Sequence, residues 1–167
     1  MLSWRKSRPP YWVQGGNGIC ENMPRGAAEP STPMLKSELK IWCSCYTSAN
    51  NPILPTRVSI GDYGAEKDLL DVCFSGIRAS ECPWMRFVDD PELLAFMDED
   101  ALAIALPWLI LIAGDSVDLT VYLMSTLTRV ASEDPSFMNK LESRYFDEFL
   151  NCTIEYLGRL IDSAKLL

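Results

Sequence analysis

Carboxylates and thiols are the groups in this sequence that could catalyse a reaction or hold a metal ion, because none of its 167 residues is His. Without imidazole, Ser-His-Asp catalysis, Cys-His catalysis and His-ligated zinc or iron sites are excluded. An enzyme of this composition would have to rely on Asp, Glu, Lys, Tyr or Cys.

The acidic candidates form three groups: Asp89 with Asp90, Asp98 with Glu99 and Asp100, and Asp115 with Asp118. Acid–base catalysis needs two carboxyl groups that face each other across a cleft and differ in pKa. Acidic residues at helix starts are instead explained by capping of free amides and by the helix dipole. No EF-hand spacing is present either. Because capping explains the acidic groups, the sequence predicts no catalytic residue, no metal site and no cofactor.

The six cysteines have no regular spacing: Cys20, Cys43, Cys45, Cys73, Cys82 and Cys152. Only Cys43 and Cys45 are close together, whereas zinc sites usually combine Cys-x-x-Cys pairs with each other or with His. We therefore expect free, buried thiols in a reducing compartment.

Charge is distributed unevenly along the chain, whose net charge is −8. Residues 1–40 sum to +3, whereas residues 41–167 contain nine basic and twenty acidic side chains. An acidic body repels the phosphates of nucleic acid and attracts basic proteins. An acidic surface also keeps small cytosolic proteins soluble, which is the alternative explanation.

Targeting signals are not evident in the sequence. The basic residues near the start are followed by Pro9 and Pro10 rather than by an apolar signal core. The longest uncharged apolar run, residues 101–114, is shorter than the roughly 20 residues that a membrane helix needs. The sequence predicts a cytoplasmic protein without a membrane partner.

Two regions are expected along the chain, an irregular or disordered arm over residues 1–33 and a single mainly helical domain over residues 34–167. Apolar residues recur at helical spacing from Ala65 onward and predict about five helices around a central apolar helix that Pro107 kinks or restarts. Alternating residues near 39–60 permit a short β ribbon or an irregular extended segment.

The arm has two further interpretations. Its basic and aromatic residues could bind nucleic acid by stacking and by phosphate contacts; they are Trp4, Arg5, Lys6, Arg8, Tyr11 and Trp12. The other hypothesis is that translation starts at Met34, which begins a more ordinary sequence.

Residues 84–160 resemble a family of short, uncharacterised bacterial proteins. The resemblance is carried by two stretches, residues 90–111 with Leu106 and Pro107 inside an apolar helix, and residues 145–157. Trp108 and Ile104 depart from the expected pattern, in which a smaller residue and an aromatic residue stand at these positions. The resemblance implies a helical, cytosolic, bacterial protein and assigns no catalytic residue.

The leading functional hypothesis is a non-enzymatic, acidic protein-binding module, similar in role to an immunity protein or antitoxin that covers a basic partner. The predicted partner-binding residues combine one aromatic side chain with the densest acidic cluster: Trp84, Asp89, Asp90, Asp98, Glu99 and Asp100. The alternatives are a self-associating structural or regulatory subunit, and an enzyme that uses a carboxylate or a thiolate.

Overall fold

A computed structural model describes residues 36–61 and 64–165. Its α-helices are α1 (Lys36–Ala49), α2 (Ala65–Phe74), the short α3 (Arg86–Asp89), α4 (Glu99–Ala113), α5 (Val117–Glu133), α6 (Ser136–Arg144) and α7 (Asp147–Lys165). Two 3₁₀ segments, Ala79–Glu81 and Pro91–Phe96, lie in the connections around α3. The predicted mainly helical class is confirmed, with six helices of nine residues or more in the described part where about five were expected. The predicted arm lies outside the described residues.

Helix α4 forms the centre of the fold, as predicted. Every residue from Ala101 to Ile110 is buried, and the helix packs against α1, α5 and α6. A helix that is apolar on all sides can be stable only when other elements surround it. Asp98 caps its start, since the Asp98 carboxylate accepts a hydrogen bond from the Asp100 amide at 2.9 Å.

Pro107 does not divide this helix, which continues from Glu99 to Ala113. A proline lacks the amide that would bond to the carbonyl four residues earlier, here that of Ala103. The buried Tyr145 hydroxyl donates to this Ala103 oxygen at 2.7 Å. A side chain from the segment before α7 thus replaces the missing donor, which explains why the expected restart of the helix at Pro107 does not occur.

Of the two alternatives for residues 39–60, the β ribbon does not form, and an irregular extended segment is present only after residue 49. Residues 39–49 belong to α1, and the following segment forms only isolated bridges, Ile53 with Arg78 and Ser59 with Met97. The same apolar residues also fit a helical stripe, because Leu39, Trp42, Cys43 and Tyr46 are spaced by three and four. All four are buried, so packing of this stripe decides between the two periods.

Helices α5, α6 and α7 follow the sequence pattern closely. The Ser116 hydroxyl caps α5 by accepting from the Leu119 amide at 3.2 Å, and the Asp134 carboxylate accepts from the Ser136 amide at 2.9 Å at the start of α6. Helix α7 packs on both α1 and α5. The described part of the chain contains no helix that combines the length and the apolar character needed to cross a bilayer.

Candidate functional site

The six residues predicted to bind a partner fall into three separate environments. Asp89 and Asp90 lie exposed at the end of α3, Asp98 to Asp100 start the central helix, and Trp84 packs on the apolar core. The structure therefore does not bring all six residues together on one surface.

Glu99 and Asp100 take part in an ion-pair cluster around Lys140 of α6. The Lys140 ammonium lies 2.9 Å from a carboxylate oxygen of each, and the Asp134 carboxylate lies 3.8 Å away. Hydrogen bonds to Asp100 and Glu99 raise the pKa of Lys140 well above its usual range. These carboxylates hold α6 against the start of α4 and have a cationic partner, although one ammonium balances only one of their three negative charges.

A second group of residues, which we call the acidic patch, comprises Asp90, Glu92, Asp118 and Tyr122, together with Asp89, the exposed neighbour of Asp90 in the chain. The Tyr122 hydroxyl approaches a Glu92 carboxylate oxygen at 3.4 Å. Charge repulsion from Glu92, with smaller contributions from burial, Asp118 and Asp90, raises the pKa of Tyr122. Carboxylates from two elements thus act on one tyrosine, Glu92 at hydrogen-bond distance and Asp118 and Asp90 through their charge.

The acidic patch has no neutralising partner in the described structure. None of its four carboxylates lies within ion-pair distance of a Lys or Arg side chain among residues 36–61 and 64–165. Asp89, Asp90, Glu92 and Asp118 are all exposed. The carboxylates keep their negative charge facing solvent, which is the arrangement that attracts a cationic surface.

Trp84 is partly buried, contrary to the exposed position on which its predicted interface role was based. Its indole nitrogen donates to the Ala79 carbonyl at 2.8 Å. Its ring stacks on Trp108 at 5.8 Å and lies 5.5 Å from Phe74. Because these contacts already satisfy the nitrogen and cover the ring, Trp84 is anchored to the core. Trp108 is itself buried, as the sequence predicted.

The five described cysteines form no disulfide bond, and most of them are buried. Cys43, Cys45, Cys82 and Cys152 are buried, whereas Cys73 is partly exposed. Burial raises the pKa of Cys82 and of Cys152 to about 11, and it also raises the pKa of Cys43. A raised pKa keeps the sulfur protonated at neutral pH and lowers its nucleophilicity. Cys20 lies outside the described residues.

An apolar pocket of about 410 Å³ opens between α5, α6 and α7. Its lining includes Leu106 from α4, Leu127 and Ala131 from α5, Phe137 from α6 and Ile154 from α7. Lys, Arg, Asp and Glu are absent from the lining. The sequence did not indicate this pocket, because each lining residue looks like an ordinary part of a helix's apolar stripe.

Comparison with known proteins gives no further assignment. No protein family matches the chain, and neither does any curated protein or solved structure. Within residues 36–61 and 64–165, no three Cys, Asp or Glu side chains converge as a metal site would require. The resemblance of residues 84–160 to short bacterial proteins stays a prediction.

Proposed function

We propose that the protein is a non-enzymatic binding module that takes a basic protein partner on the acidic patch. The observation that carries the proposal is that Glu92 contacts Tyr122, beside the charges of Asp90 and Asp118, while none of these carboxylates forms an ion pair with a Lys or Arg among the described residues. Such a surface steers a cationic partner and can bind it once the two meet. The role resembles that of an immunity protein or antitoxin.

The proposed binding surface differs in its residues from the one that the sequence predicted. Asp89 and Asp90 remain in it, and Glu92, Asp118 and Tyr122 join them. Asp98, Glu99 and Asp100 are not part of the proposed surface. Asp98 caps α4, and Glu99 and Asp100 form ion pairs with Lys140. Trp84 is not part of the proposed surface either, because its ring is packed on the core. The proposal places the protein in a reducing cytoplasm, since free thiols persist there.

A charge-reversal experiment tests this function. Full-length protein is used to capture partners from cells that express it, at about 50 and 500 mM salt. A partner of basic composition should bind to the wild type and to Asp162→Lys, an exposed control on α7, but not to the double variant Asp90→Lys/Glu92→Lys. Binding should weaken at the higher salt concentration because the screening length falls from about 14 to about 4 Å.

Retention of the same partner by the double variant would show that the acidic patch is not the binding surface.

The alternative function, a self-associating subunit, is favoured by exposed apolar side chains on two neighbouring helices. Val117 and Val121 of α5 are 50% and 42% exposed, and Ile154 of α7 is 51% exposed. Light scattering separates the two functions, since a concentration-independent monomer contradicts self-association.

A further inference from the structure

We propose that the apolar pocket between α5, α6 and α7 is a binding site for a neutral, largely apolar small molecule. This site is separate from the acidic patch, although α5 contributes to both. Leu127 and Ala131 lie about 140–180° around the helix from Tyr122 and Asp118. The two surfaces can therefore be tested independently.

The hydroxyl groups in the pocket lining already donate hydrogen bonds within the protein. Thr128 donates to the Met124 carbonyl, Ser132 to the Arg129 carbonyl, and Thr153 to the Phe149 carbonyl, each at 2.8 Å. Each hydroxyl proton is thus used within its own helix. A ligand in this pocket finds no free hydrogen-bond donor from these side chains, so a hydrogen-bond acceptor on the ligand would lose its water without compensation.

Charge gives the second restriction on the ligand. No ionisable side chain among residues 36–61 and 64–165 lines the pocket, and residues 41–167 carry more than twice as many acidic as basic groups. An anionic ligand, including a fatty acid whose carboxylate entered the pocket, would be repelled and left unpaired. A cation would find no carboxylate in the lining. A neutral molecule is what these walls accommodate.

The size of the pocket sets the scale of the ligand. Its volume of about 410 Å³ lies within the usual range of ligand pockets. An engineered apolar cavity of about 150 Å³ takes one benzene molecule, so this pocket has room for about three aromatic rings or an aliphatic body of similar volume. Met124 and Met138 in the lining can adjust to the ligand's shape.

The pocket is open to solvent, which distinguishes it from a packing defect inside the core. Four of its lining residues are exposed, namely Thr128, Ser132, Met138 and Ile154, of which Ile154 is 51% accessible. Its floor includes Leu106 of the central helix and Phe137 of α6, both buried. A ligand can therefore enter between α6 and α7 and cover apolar atoms that otherwise contact water.

Two fluorescent probes that differ by one charged group provide the test. Phenylnaphthylamine is neutral and has three aromatic rings, and anilinonaphthalene sulfonate adds an anionic group to the same body. We expect saturable one-to-one binding of the neutral probe to the full-length protein, at least tenfold tighter than binding of the anionic probe. Equal affinities, or no saturable binding of the neutral probe, would overturn the proposal.

Variants locate the binding in the pocket. Ala131→Phe places a ring in the lining and should weaken binding of the neutral probe at least tenfold, whereas Val72→Phe adds the same ring at a 78% exposed position on α2 and should leave it unchanged. Because Ala131→Phe could disturb the fold, Ile154→Asp provides a second variant at an exposed position and should also weaken binding. Unchanged affinity in a folded Ile154→Asp protein would refute the site.

A different occupant of the pocket would give a different pattern. If the wild type is a dimer that excludes the probe, and Ile154→Asp converts it to a monomer, a second copy of the chain covers the groove. That result would overturn the small-molecule proposal. It would leave the proposed role of the acidic patch intact, because the charge-reversal experiment does not depend on the pocket.

Discussion

A single hydroxyl compensates for the proline in the central helix. Tyr145 and the Ala103 carbonyl are both buried, so water cannot replace their hydrogen bond if the hydroxyl is removed. We expect Tyr145→Phe to lower the free energy of unfolding by about 1–3 kcal/mol, the usual range for a buried polar group left unpaired. Urea denaturation measures this difference.

Pro107→Ala provides the matched control for that prediction. The substitution restores an amide that can donate to the Ala103 carbonyl, so the carbonyl no longer depends on Tyr145. In this background Tyr145→Phe should cost less than half of its value in the wild type. Equal costs in the two backgrounds would show that the Tyr145 hydroxyl does not compensate for the amide that Pro107 lacks.

Thiol reactivity follows from burial. With pKa values of about 11, Cys82 and Cys152 hold little thiolate near neutral pH. We expect both to react with iodoacetamide at least a hundredfold more slowly than a free cysteine, and more slowly than the partly exposed Cys73. Peptide mass spectrometry after timed labelling measures the rates. Rapid labelling of either residue would revive the thiol-dependent enzyme as a functional hypothesis.

At the scale of elements, Asp71 attaches the extended segment before α2 to that helix. Its carboxylate accepts from the Val58 and Ser59 amides at 3.1 and 3.3 Å and from the Lys67 ammonium at 2.9 Å. Burial alone would raise the pKa of Asp71, but these hydrogen bonds outweigh it and lower the pKa. A carboxylate with a lowered pKa stabilises the folded state when it is ionised.

Asp71→Asn should therefore lower the free energy of unfolding by about 1–2 kcal/mol at neutral pH. The sign of the pH dependence follows from the lowered pKa. The stabilisation is present above the unfolded pKa of about 4 and is lost as the pH falls through the folded value, so wild type and variant should converge in acid. Asp68→Asn is the control on the same helix, where the side chain is exposed. A constant difference between wild type and variant at all pH values would contradict this account.

The helical elements could be predicted where a single period fitted the apolar residues. Helices α4, α5 and α7 were recognised from their stripes and from the caps before them. The pattern failed at α1, where Leu39 and Cys43 fit both a strand and a helix, because the deciding contact is distant in sequence. That contact is Trp42 against Phe149 of α7, with ring centroids 4.1 Å apart.

The start of the Pro91–Phe96 segment shows the other limit. Asp90 followed by Pro91 is typical of a capped α-helix. The structure instead has a 3₁₀ segment whose Asp90 side chain makes no capping bond. The Asp98 amide donates to Val58 at 2.6 Å and Ile60 donates to Phe96 at 2.8 Å. These contacts tie the segment to the extended chain, and local sequence contains no signal for them.

The candidate surfaces could be predicted only in part, because both depend on which helices become neighbours. Asp89 and Asp90 stood out as an acidic pair. Asp118 joins them only because α5 packs on the Pro91–Phe96 segment, and nothing in the spacing of the two stretches requires that packing. The pocket likewise exists because α6 and α7 leave a gap beside α5. Sequence periodicity indicates which residues face inward, but it does not indicate where facing helices fail to meet.

For the whole molecule, the excess of negative charge should make the fold salt-dependent. Residues 41–167 contain twenty acidic and nine basic side chains, and the described residues form the ion-pair cluster around Lys140 and four further ion pairs within helices. The repulsive energy among the remaining carboxylates, including those of the acidic patch, exceeds this attraction and opposes the compact state. We expect the urea midpoint at neutral pH to rise as sodium chloride is increased from about 20 to about 300 mM, because the salt screens both terms and the repulsive one is larger.

Two comparisons distinguish this charge effect from a general effect of salt. Lys140→Met removes the main attractive cluster, so salt should raise the midpoint of this variant more than that of the wild type. Asp90→Lys/Glu92→Lys reduces the repulsion in the acidic patch, so salt should raise its midpoint less. If the wild-type midpoint fell with added salt, the ion pairs around Lys140 would outweigh the repulsion. The acidic patch would then lower the free energy of unfolding little. Its lack of a neutralising partner would no longer distinguish it from an ordinary solvated surface.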